Sequence, residues 1–313
     1  MRCPWLPGYG LVISAILLMG FINTGGCDNA SSPPSVIGRN GPPRSCYESP
    51  SARTCGPLMN DDCCRSLPVP GGTFFRNYDG VDYLSRNYQA TVSAFHLDRY
   101  EITVGRLRAF IDAGMGTREH PPDAGDGSHP EIVDSGWKIA WNEALSVDTA
   151  ALKAALKCNP DNPTWTDMPE GNENKAVECL DWYTAFAFCA WDGGRLPTEA
   201  EWHFAASGGS EQRYYPWSRP AKSTIVDDSY AVFSNGGPIG MQVVGSKSPR
   251  GDSRWGHSDL AGNAWEWTLD SAQGPYPVPC HDCAALNESR YRTFRGGSHF
   301  EIAAALRSAD RHV

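Results

Sequence analysis

Cysteines carry the most reactive chemistry in this chain of 313 residues, and there are 11 of them. Four fall within one short stretch that has no helix or strand pattern: Cys46, Cys55, Cys63 and Cys64. No histidine lies among them, so two disulfides are a better interpretation than a metal site. The adjacent Cys63 and Cys64 are expected to pair with Cys46 and Cys55 rather than with each other. Cysteines in this number are typical of an oxidising compartment.

Two further cysteine pairs are predicted from their positions. Cys158 and Cys179 bracket a loop rich in proline and asparagine, and a disulfide between them would close it. Cys280 and Cys283 have the CxxC spacing found in zinc sites, but no second such pair accompanies them. Because the amino terminus indicates export, as described next, a local disulfide between these two is the better interpretation.

The amino terminus has the pattern of an export signal. The apolar run from Leu11 to Ile22 is too short for a transmembrane helix, which needs about 20 residues, and is typical of a signal-peptide core. Thr24-Gly25-Gly26-Cys27 resembles a bacterial lipobox, in which Cys27 would be lipidated; ordinary secretion with cleavage nearby is the alternative. The expected location is the periplasm or the cell surface, with membrane contact only through a lipid anchor.

The pattern divides the chain into three parts. Residues 1–27 are interpreted as a signal peptide with a possible lipobox, and residues 28–66 as a tether and cysteine-rich segment. Residues 67–313 form the main domain. The net charge of −9 without any Lys/Arg cluster argues against a nucleic-acid or anionic-membrane surface. The 32 glycines and 24 prolines indicate a loop-rich fold with short elements.

A few elements can be predicted from periodicity. Residues 90–98 alternate enough to be a strand, residues 103–113 and 181–192 have helical spacing, and residues 144–157 are a weaker helix prediction. Thr198 and Glu201 have the spacing of a capping box, which would start a further helix and give Glu201 a structural role.

Five motifs, in order along the chain, resemble the formylglycine-generating enzyme (sulfatase-modifying factor) family. The longest is Gly193-Gly194-Arg195-Leu196-Pro197-Thr198-Glu199-Ala200-Glu201-Trp202. The others are Val69 to Phe74, Tyr100 to Thr103, Asp259 to Trp267 and Arg295-Gly296-Gly297-Ser298. The resemblance implies an α+β fold, a variant of the C-type lectin fold with little regular secondary structure. It covers about residues 68 to 313.

The resemblance also indicates what this chain lacks. Catalytic members of that family oxidise a sulfatase cysteine to formylglycine with O2 and copper, held by two cysteines shortly after the Gly-Gly-Ser motif. Thiolates are suited to Cu(I). Residues 299–311 contain no cysteine, and Cys280 and Cys283 precede the motif. Copper binding and formylglycine generation are therefore not expected from the usual positions.

His299 and Glu301 are the other candidates in this stretch. Residues two apart face the same side of a strand, and a histidine with a carboxylate can bind a metal or transfer protons. The alternative is that the two side chains are solvated or hydrogen-bonded and have no chemical role. No third ligand accompanies the two residues in the sequence.

The resemblance implies a structural Ca²⁺ at the Asp259 loop. Its ligands would be the carboxylates of Asp259 and Glu266 and the backbone carbonyls of Gly262 and Ala264. These are hard oxygen donors of the kind that Ca²⁺ prefers, and Gly262 permits a tight turn. A plain turn with buried tryptophans is the alternative.

Family domains usually continue for some tens of residues beyond the position of Arg311 and end in a Gly-Phe-Arg core strand. We therefore expect residues 67–313 to be C-terminally truncated. In some relatives the cysteine that matches Cys189 pairs with one in that strand. Without the signal and Cys27, nine cysteines remain, and Cys189 is expected to be unpaired.

Two functions from different classes follow. The first is an exported, lipid-anchored binding or scaffold domain that recognises a protein, peptide or glycan. The alternative is a formylglycine-generating oxidase, or another oxidoreductase of the family acting on protein cysteine, through displaced cysteines such as Cys280 and Cys283.

Overall fold

The computed structural model describes residues 1–5, 43–48, 54–236 and 240–313. The predicted signal-peptide core, Cys27 and most of the predicted tether lie outside these ranges. Within them, no helix combines the length and the apolar character that crossing a membrane requires.

The strands form three small antiparallel sheets, which together with short helices make an α+β fold, as predicted. One sheet has the order β1-β5-β2, and the other two are the pairs β3-β4 and β6-β7. The strands are β1 (Pro4–Trp5), β2 (Ser66–Val69), β3 (Gly72–Tyr78), β4 (Leu84–Val92), β5 (Phe95–Asp98), β6 (Glu266–Ser271) and β7 (Arg292–Arg295).

The single strand predicted over residues 90–98 is wrong in one respect, because the structure divides it between two sheets. Ala90 in β4 lies opposite Phe74 in β3, whereas Phe95 in β5 lies opposite Val69 in β2. The chain changes sheets just after Val92. Gly71 lies against this crossing, where an added Cβ would stand 2.6 Å from the Val92 carbonyl oxygen. A local alternation pattern cannot reveal a change of partner strand.

The helices are short. They are α1 (Arg44–Glu48), α2 (Val104–Asp112), α3 (Thr149–Ala155), α4 (Trp182–Asp192) and α5 (Glu199–Ser207), with 3₁₀ turns at Ile139–Ala144, Gly209–Glu211 and Ala303–Leu306.

The predicted boundaries of α2 and α4 are confirmed by their caps. The Thr103 hydroxyl accepts the Arg106 backbone N–H at the start of α2, and the Asp181 carboxylate accepts two backbone N–H groups at the start of α4. Gly193 ends α4 with a φ of 98°, a conformation that glycine adopts without strain.

Helix α4 is the centre of the core. Nine of its eleven residues are buried, as expected of a helix that is apolar on every side. Its aromatic rings contact α2, where Phe110 lies 5.6 Å from Phe188, and the loop that carries Trp141, whose ring centroid lies 5.2 Å from Trp182. The segment that carries Trp141 is thus anchored to α4 by aromatic packing.

The predicted Cys158–Cys179 and Cys280–Cys283 disulfides are confirmed. In the cysteine-rich segment Cys63 and Cys64 do not pair with each other, as expected, and the structure supplies the connectivity that the sequence left open. The pairs are Cys46–Cys64, Cys55–Cys63, Cys158–Cys179 and Cys280–Cys283.

The prediction that Cys189 is unpaired is wrong, because Cys189 forms a disulfide with Cys3. The first five residues form part of the core: β1 pairs with β5, and Ile102 donates a backbone hydrogen bond to the Met1 carbonyl oxygen. The prediction counted only cysteines beyond the expected cleavage position, so Cys3 was left out.

Candidate functional site

The turn after β7 is built on two glycines. Gly296 and Gly297 both have positive φ, 96° and 74°. A Cβ on Gly297 would stand 2.9 Å from Leu306 and 3.0 Å from the Ala305 carbonyl oxygen, so a larger residue would have to displace the following 3₁₀ turn. This close approach fixes the path of Ser298 and the residues after it.

His299 is held in place by two hydrogen bonds that it donates to one neighbour, Asn263. Its backbone N–H donates to the Asn263 carbonyl oxygen at 3.0 Å, and its ring Nδ1 lies 3.1 Å from the same oxygen. The imidazole is buried, and burial lowers the pKa of His299. The residue is therefore a neutral histidine that donates through Nδ1 to a backbone acceptor.

His299 and Glu301 do not form the two-residue repeat of a strand, because β7 ends at Arg295 and the chain turns here. Glu301 is half-buried, and its backbone carbonyl accepts a hydrogen bond from Ser234. No ion pair joins the two side chains in the described part of the chain. Instead, Phe300 and Ile302 project outward with 61% and 65% of their surface exposed.

The loop from Asp259 to Glu266 lies beside this turn and contains two carboxylates, and Glu101 packs against the loop as a third. Asp259 accepts a hydrogen bond from the Gly245 backbone N–H. Glu101 accepts hydrogen bonds from the Asn263 amide at 2.6 Å and the Ala264 backbone N–H at 2.9 Å. Burial, and then the charge of Asp259, raise the pKa of Glu101. Burial likewise raises the pKa of Asp259, to about 6.

Glu266 is bound by an arginine from the start of the chain. Arg2 Nε lies 2.8 Å from one Glu266 oxygen and 3.1 Å from the other, and Trp202 donates to the second oxygen at 3.2 Å. Both groups of the ion pair are fully buried. Arg2 also donates to the backbone carbonyls of Asp98, Arg99 and Ser258.

These contacts bear on the four predicted Ca²⁺ ligands. The carboxylates of Asp259 and Glu266 lie in one region, as expected, but Glu266 already has a cationic partner. Arg2 supplies positive charge that the acidic cluster requires, whereas burial lowers the pKa of the neighbouring amino terminus. With Arg2 in place the four residues do not fit as a free calcium site.

The ten cysteines that the structure describes offer no pair of free thiols at the turn. Each of the ten described cysteines is in a disulfide, so Cys280 and Cys283 do not provide thiolates. One group of potential metal ligands in the described ranges is Cys46, Asp62 and Cys64, whose ligand atoms lie within 4.8 Å of one another. Because Cys46 and Cys64 are joined in a disulfide, this group can bind a metal only after reduction.

Glu201 has the structural role that the sequence indicates. Its carboxylate accepts the Thr198 backbone N–H at 2.9 Å, and the Thr198 hydroxyl accepts the Glu201 N–H at 3.1 Å. Arg195 forms a buried ion pair with the same carboxylate. Burial alone would raise the pKa of Glu201, but the positive charge of Arg195 lowers it.

Sequence reasoning missed Arg2 and gave Glu101 no role. Glu101 belongs to one of the five motifs, Tyr100-Glu101-Ile102-Thr103. Its place in a motif was a sequence signal that could have identified it as a site residue. Arg2 had none, because it lies 264 positions from Glu266 and was interpreted as part of a signal peptide.

The comparisons with known proteins agree with the fold and the motifs. Residues 53–313 match the family model described as the sulfatase-modifying factor enzyme 1-like domain. The chain therefore belongs to this family. Three of the four cysteines of the cysteine-rich segment, Cys55, Cys63 and Cys64, fall within the match.

Among curated relatives, the chain is 28% identical over 231 residues to the formylglycine-generating enzyme of Thermomonospora curvata, covering 65% of this chain and 70% of the relative. It is 29% identical over 236 residues to the inactive C-alpha-formylglycine-generating enzyme 2 of Bos taurus, covering 69% and 74%. The solved structure of PvdO from Pseudomonas aeruginosa is similar in fold, with a TM-score of 0.52, 22% identity and coverage of 79% and 87%.

Proposed function

We propose that this protein is a recognition domain of the sulfatase-modifying factor family and not a cysteine oxidase. One observation carries the proposal: past Gly296-Gly297-Ser298 the sequence provides no thiol, and the ten described cysteines are in disulfides. Without thiolates a copper-dependent oxidation has no ligands at this turn. The similarity to both a formylglycine-generating enzyme and a protein named inactive is compatible with either outcome.

The surface beside the turn supports a binding role. Phe300 and Ile302 are largely exposed, next to a backbone held by the contacts of Gly297. Exposed apolar side chains on a rigid turn are suited to contact a partner. The proposed partner is a protein, peptide or glycan, with no role for nucleic acid.

An oxidation assay tests the proposal. The protein is loaded with Cu(I), freed of excess metal and incubated with a cysteine-containing peptide under O2. The Thermomonospora curvata formylglycine-generating enzyme serves as the positive control. We expect no bound copper and no formylglycine by mass spectrometry. Formation of formylglycine by this protein would refute the proposal and restore the oxidase alternative.

A binding assay tests the surface. A photocrosslinking residue at Phe300 is compared with one at Tyr291, which is also exposed but lies outside the turn. We expect a crosslinked product from intact cells that depends on position 300. Equal products from both positions would contradict a role for the turn.

We further propose export with lipid attachment at Cys27, as the sequence pattern indicates. Mass spectrometry of the mature amino terminus tests this, and an unmodified Cys27 would contradict it. Cleavage before Cys27, if it precedes formation of the Cys3–Cys189 disulfide, would release the segment that carries Arg2 and leave Glu266 without its cation.

We propose that Ca²⁺ binds to the cleaved protein, in which Arg2 is absent. We infer that Arg2 and Ca²⁺ are alternatives at Glu266, because both would neutralise the same three carboxylates. In the full chain, Arg2→Ala mimics the loss of the arginine. We expect added Ca²⁺ to raise the Tm of Arg2→Ala and to leave the wild-type Tm unchanged, with EDTA reversing the effect. An Arg2→Ala protein whose Tm does not respond to Ca²⁺ would contradict the calcium proposal.

A further inference from the structure

A cluster of buried charged residues lies where β3, α5 and β7 meet, and the proposed function does not use it. We define the buried charge cluster as Arg76, Glu199, His203, Arg295 and Arg311. In the described ranges, sixteen buried side-chain nitrogen or oxygen atoms lack a hydrogen-bond partner, and eight of them belong to these five side chains. They are Nε of Arg76, Arg295 and Arg311, Nη2 of Arg295, both oxygens of Glu199 and both ring nitrogens of His203.

The charges of the cluster are close together but are not aligned as hydrogen bonds. Arg295 Nη2 lies 2.9 Å and Arg311 Nε 3.7 Å from the same Glu199 oxygen. The guanidinium groups of Arg76 and Arg311 lie 4.8 Å and 4.9 Å from the centre of the Tyr276 ring. Buried polar atoms without partners are costly. Four of the eight atoms are guanidinium nitrogens, which can only donate, so an added acceptor would lower this cost.

Positive charge is in excess. Three guanidinium groups face two carboxylates, Glu199 and the neighbouring Asp270, which already accepts two backbone N–H groups. Burial and the charge of Glu199 raise the pKa of Asp270 to about 7, so this group is only partly ionised at neutral pH. His203 adds no negative charge, and burial keeps it neutral.

A cavity of about 320 Å³ reaches this cluster from the surface. Three tyrosine rings and one guanidinium group face this cavity. Its lining consists of Asn77, Tyr83, Tyr88, Pro275, Tyr276, Ala309 and Arg311. Two lining residues connect the cavity to the buried charge cluster. Arg311 is a member of the cluster, and the Tyr276 ring contacts Arg76 and Arg311. The Arg311 side chain is 19% exposed and is therefore accessible to a ligand.

We propose that this cavity binds a small organic anion, a carboxylate or a sulfate ester, whose charged group pairs with Arg311 and whose body lies against the tyrosine rings. Guanidinium groups favour oxyanions because their N–H groups match two oxygens at once. The volume is at the lower end of the range for small-molecule sites. Benzoate and phenyl sulfate combine an anionic group and a flat body of this size.

Binding is measured by titration calorimetry in 0.15 M NaCl with benzoate and phenyl sulfate. Benzamide, which has nearly the shape of benzoate but no charge, is the matched probe. We expect at least one anion to bind at least tenfold more tightly than benzamide to wild-type protein. Comparable affinity for the three probes, or no binding of either anion, would overturn the proposal without requiring any variant.

Variants locate the site. Arg311→Gln should weaken anion binding at least tenfold, and Arg311→Lys should retain part of it because the positive charge remains. Arg290→Gln is the matched control, since Arg290 also lies over a tyrosine ring, at 5.0 Å from Tyr291, but on the exposed surface. Anion affinity that is unchanged in Arg311→Gln would place binding elsewhere and refute the assignment. These outcomes are independent of the oxidation assay.

Discussion

The Thr198 side chain determines where α5 begins, since its hydroxyl and the Glu201 carboxylate satisfy each other's backbone N–H groups. Thr198→Ala removes one of these acceptors in a fully buried setting. We expect a loss of about 1–2 kcal/mol in the free energy of unfolding. Urea denaturation measures it, and Thr224→Ala, at an exposed loop position, is the control. Equal stability of the two variants would contradict the structural importance of the cap.

Protonation of His257 should weaken the fold in acid. Burial, reinforced by the charge of Arg2, lowers the pKa of His257 to about 3, against about 6.5 for an unfolded histidine. Between these values the unfolded chain binds the proton and the folded chain does not. Stability is therefore lost as the pH falls from about 6.5 towards 3.

The variant His257→Gln should flatten this part of the stability curve, measured by urea denaturation at several pH values. His120→Gln, at an exposed position, should leave the slope unchanged. The raised pKa of Asp270, about 7, makes the folded state gain stability as the pH falls. This contribution is the same in wild type and variant, so the difference between their slopes reports on His257. An unchanged slope in His257→Gln would show that its protonation does not limit stability.

At the scale of elements, disulfides stabilise the loops that lack regular structure. Cys158 and Cys179 are 21 positions apart and close the loop before α4, whereas Cys280 and Cys283 are only 3 apart. In the chain-entropy description the longer loop contributes more stability, about 3 kcal/mol against about 2 kcal/mol.

Paired replacement of cysteine by serine tests this description. The Cys158→Ser/Cys179→Ser protein is expected to unfold at lower urea concentration than the Cys280→Ser/Cys283→Ser protein. The second double variant is the matched control, because it loses the same number of sulfur atoms. The reverse order would mean that local contacts, and not loop closure, dominate the effect of these bonds.

At the scale of the whole molecule, the amino-terminal segment packs in the core against distant parts of the chain. Arg2 pairs with Glu266 and Cys3 with Cys189, so a segment of five residues joins β5, α4 and β6. A buried ion pair of this kind costs about 3–5 kcal/mol when one partner is removed.

Arg2→Ala is therefore expected to lower the free energy of unfolding, in the absence of Ca²⁺, by about 3–5 kcal/mol. Arg290→Ala, at an exposed arginine, should change it little. A non-reducing digest of the full chain should contain a peptide that links Cys3 to Cys189. Alkylation of Cys189 in the native, unreduced protein would show that this link is absent.

Local patterns foretold much of the fold. The caps of α2, α4 and α5 were predictable because each depends on residues within four positions. The Cys158–Cys179 and Cys280–Cys283 disulfides were predictable because each closes a short loop, whereas the connectivity of the cysteine-rich segment was left open. The split between β4 and β5 was not predictable, because strand partners are chosen by distant residues. The turn at His299 was missed for a similar reason: close contact between Gly297 and Leu306 redirects the chain after β7.

The sequence by itself determined the family, through five ordered motifs, and the lack of cysteine in residues 298–313. Those are properties of residue type and order, which need no coordinates. Only the tertiary structure decided that Arg2 neutralises Glu266, that Cys3 pairs with Cys189, and that three arginines surround Glu199 and Tyr276. Such pairings depend on the desolvation of charges brought together from distant positions, and burial of that kind exists only once the chain has folded.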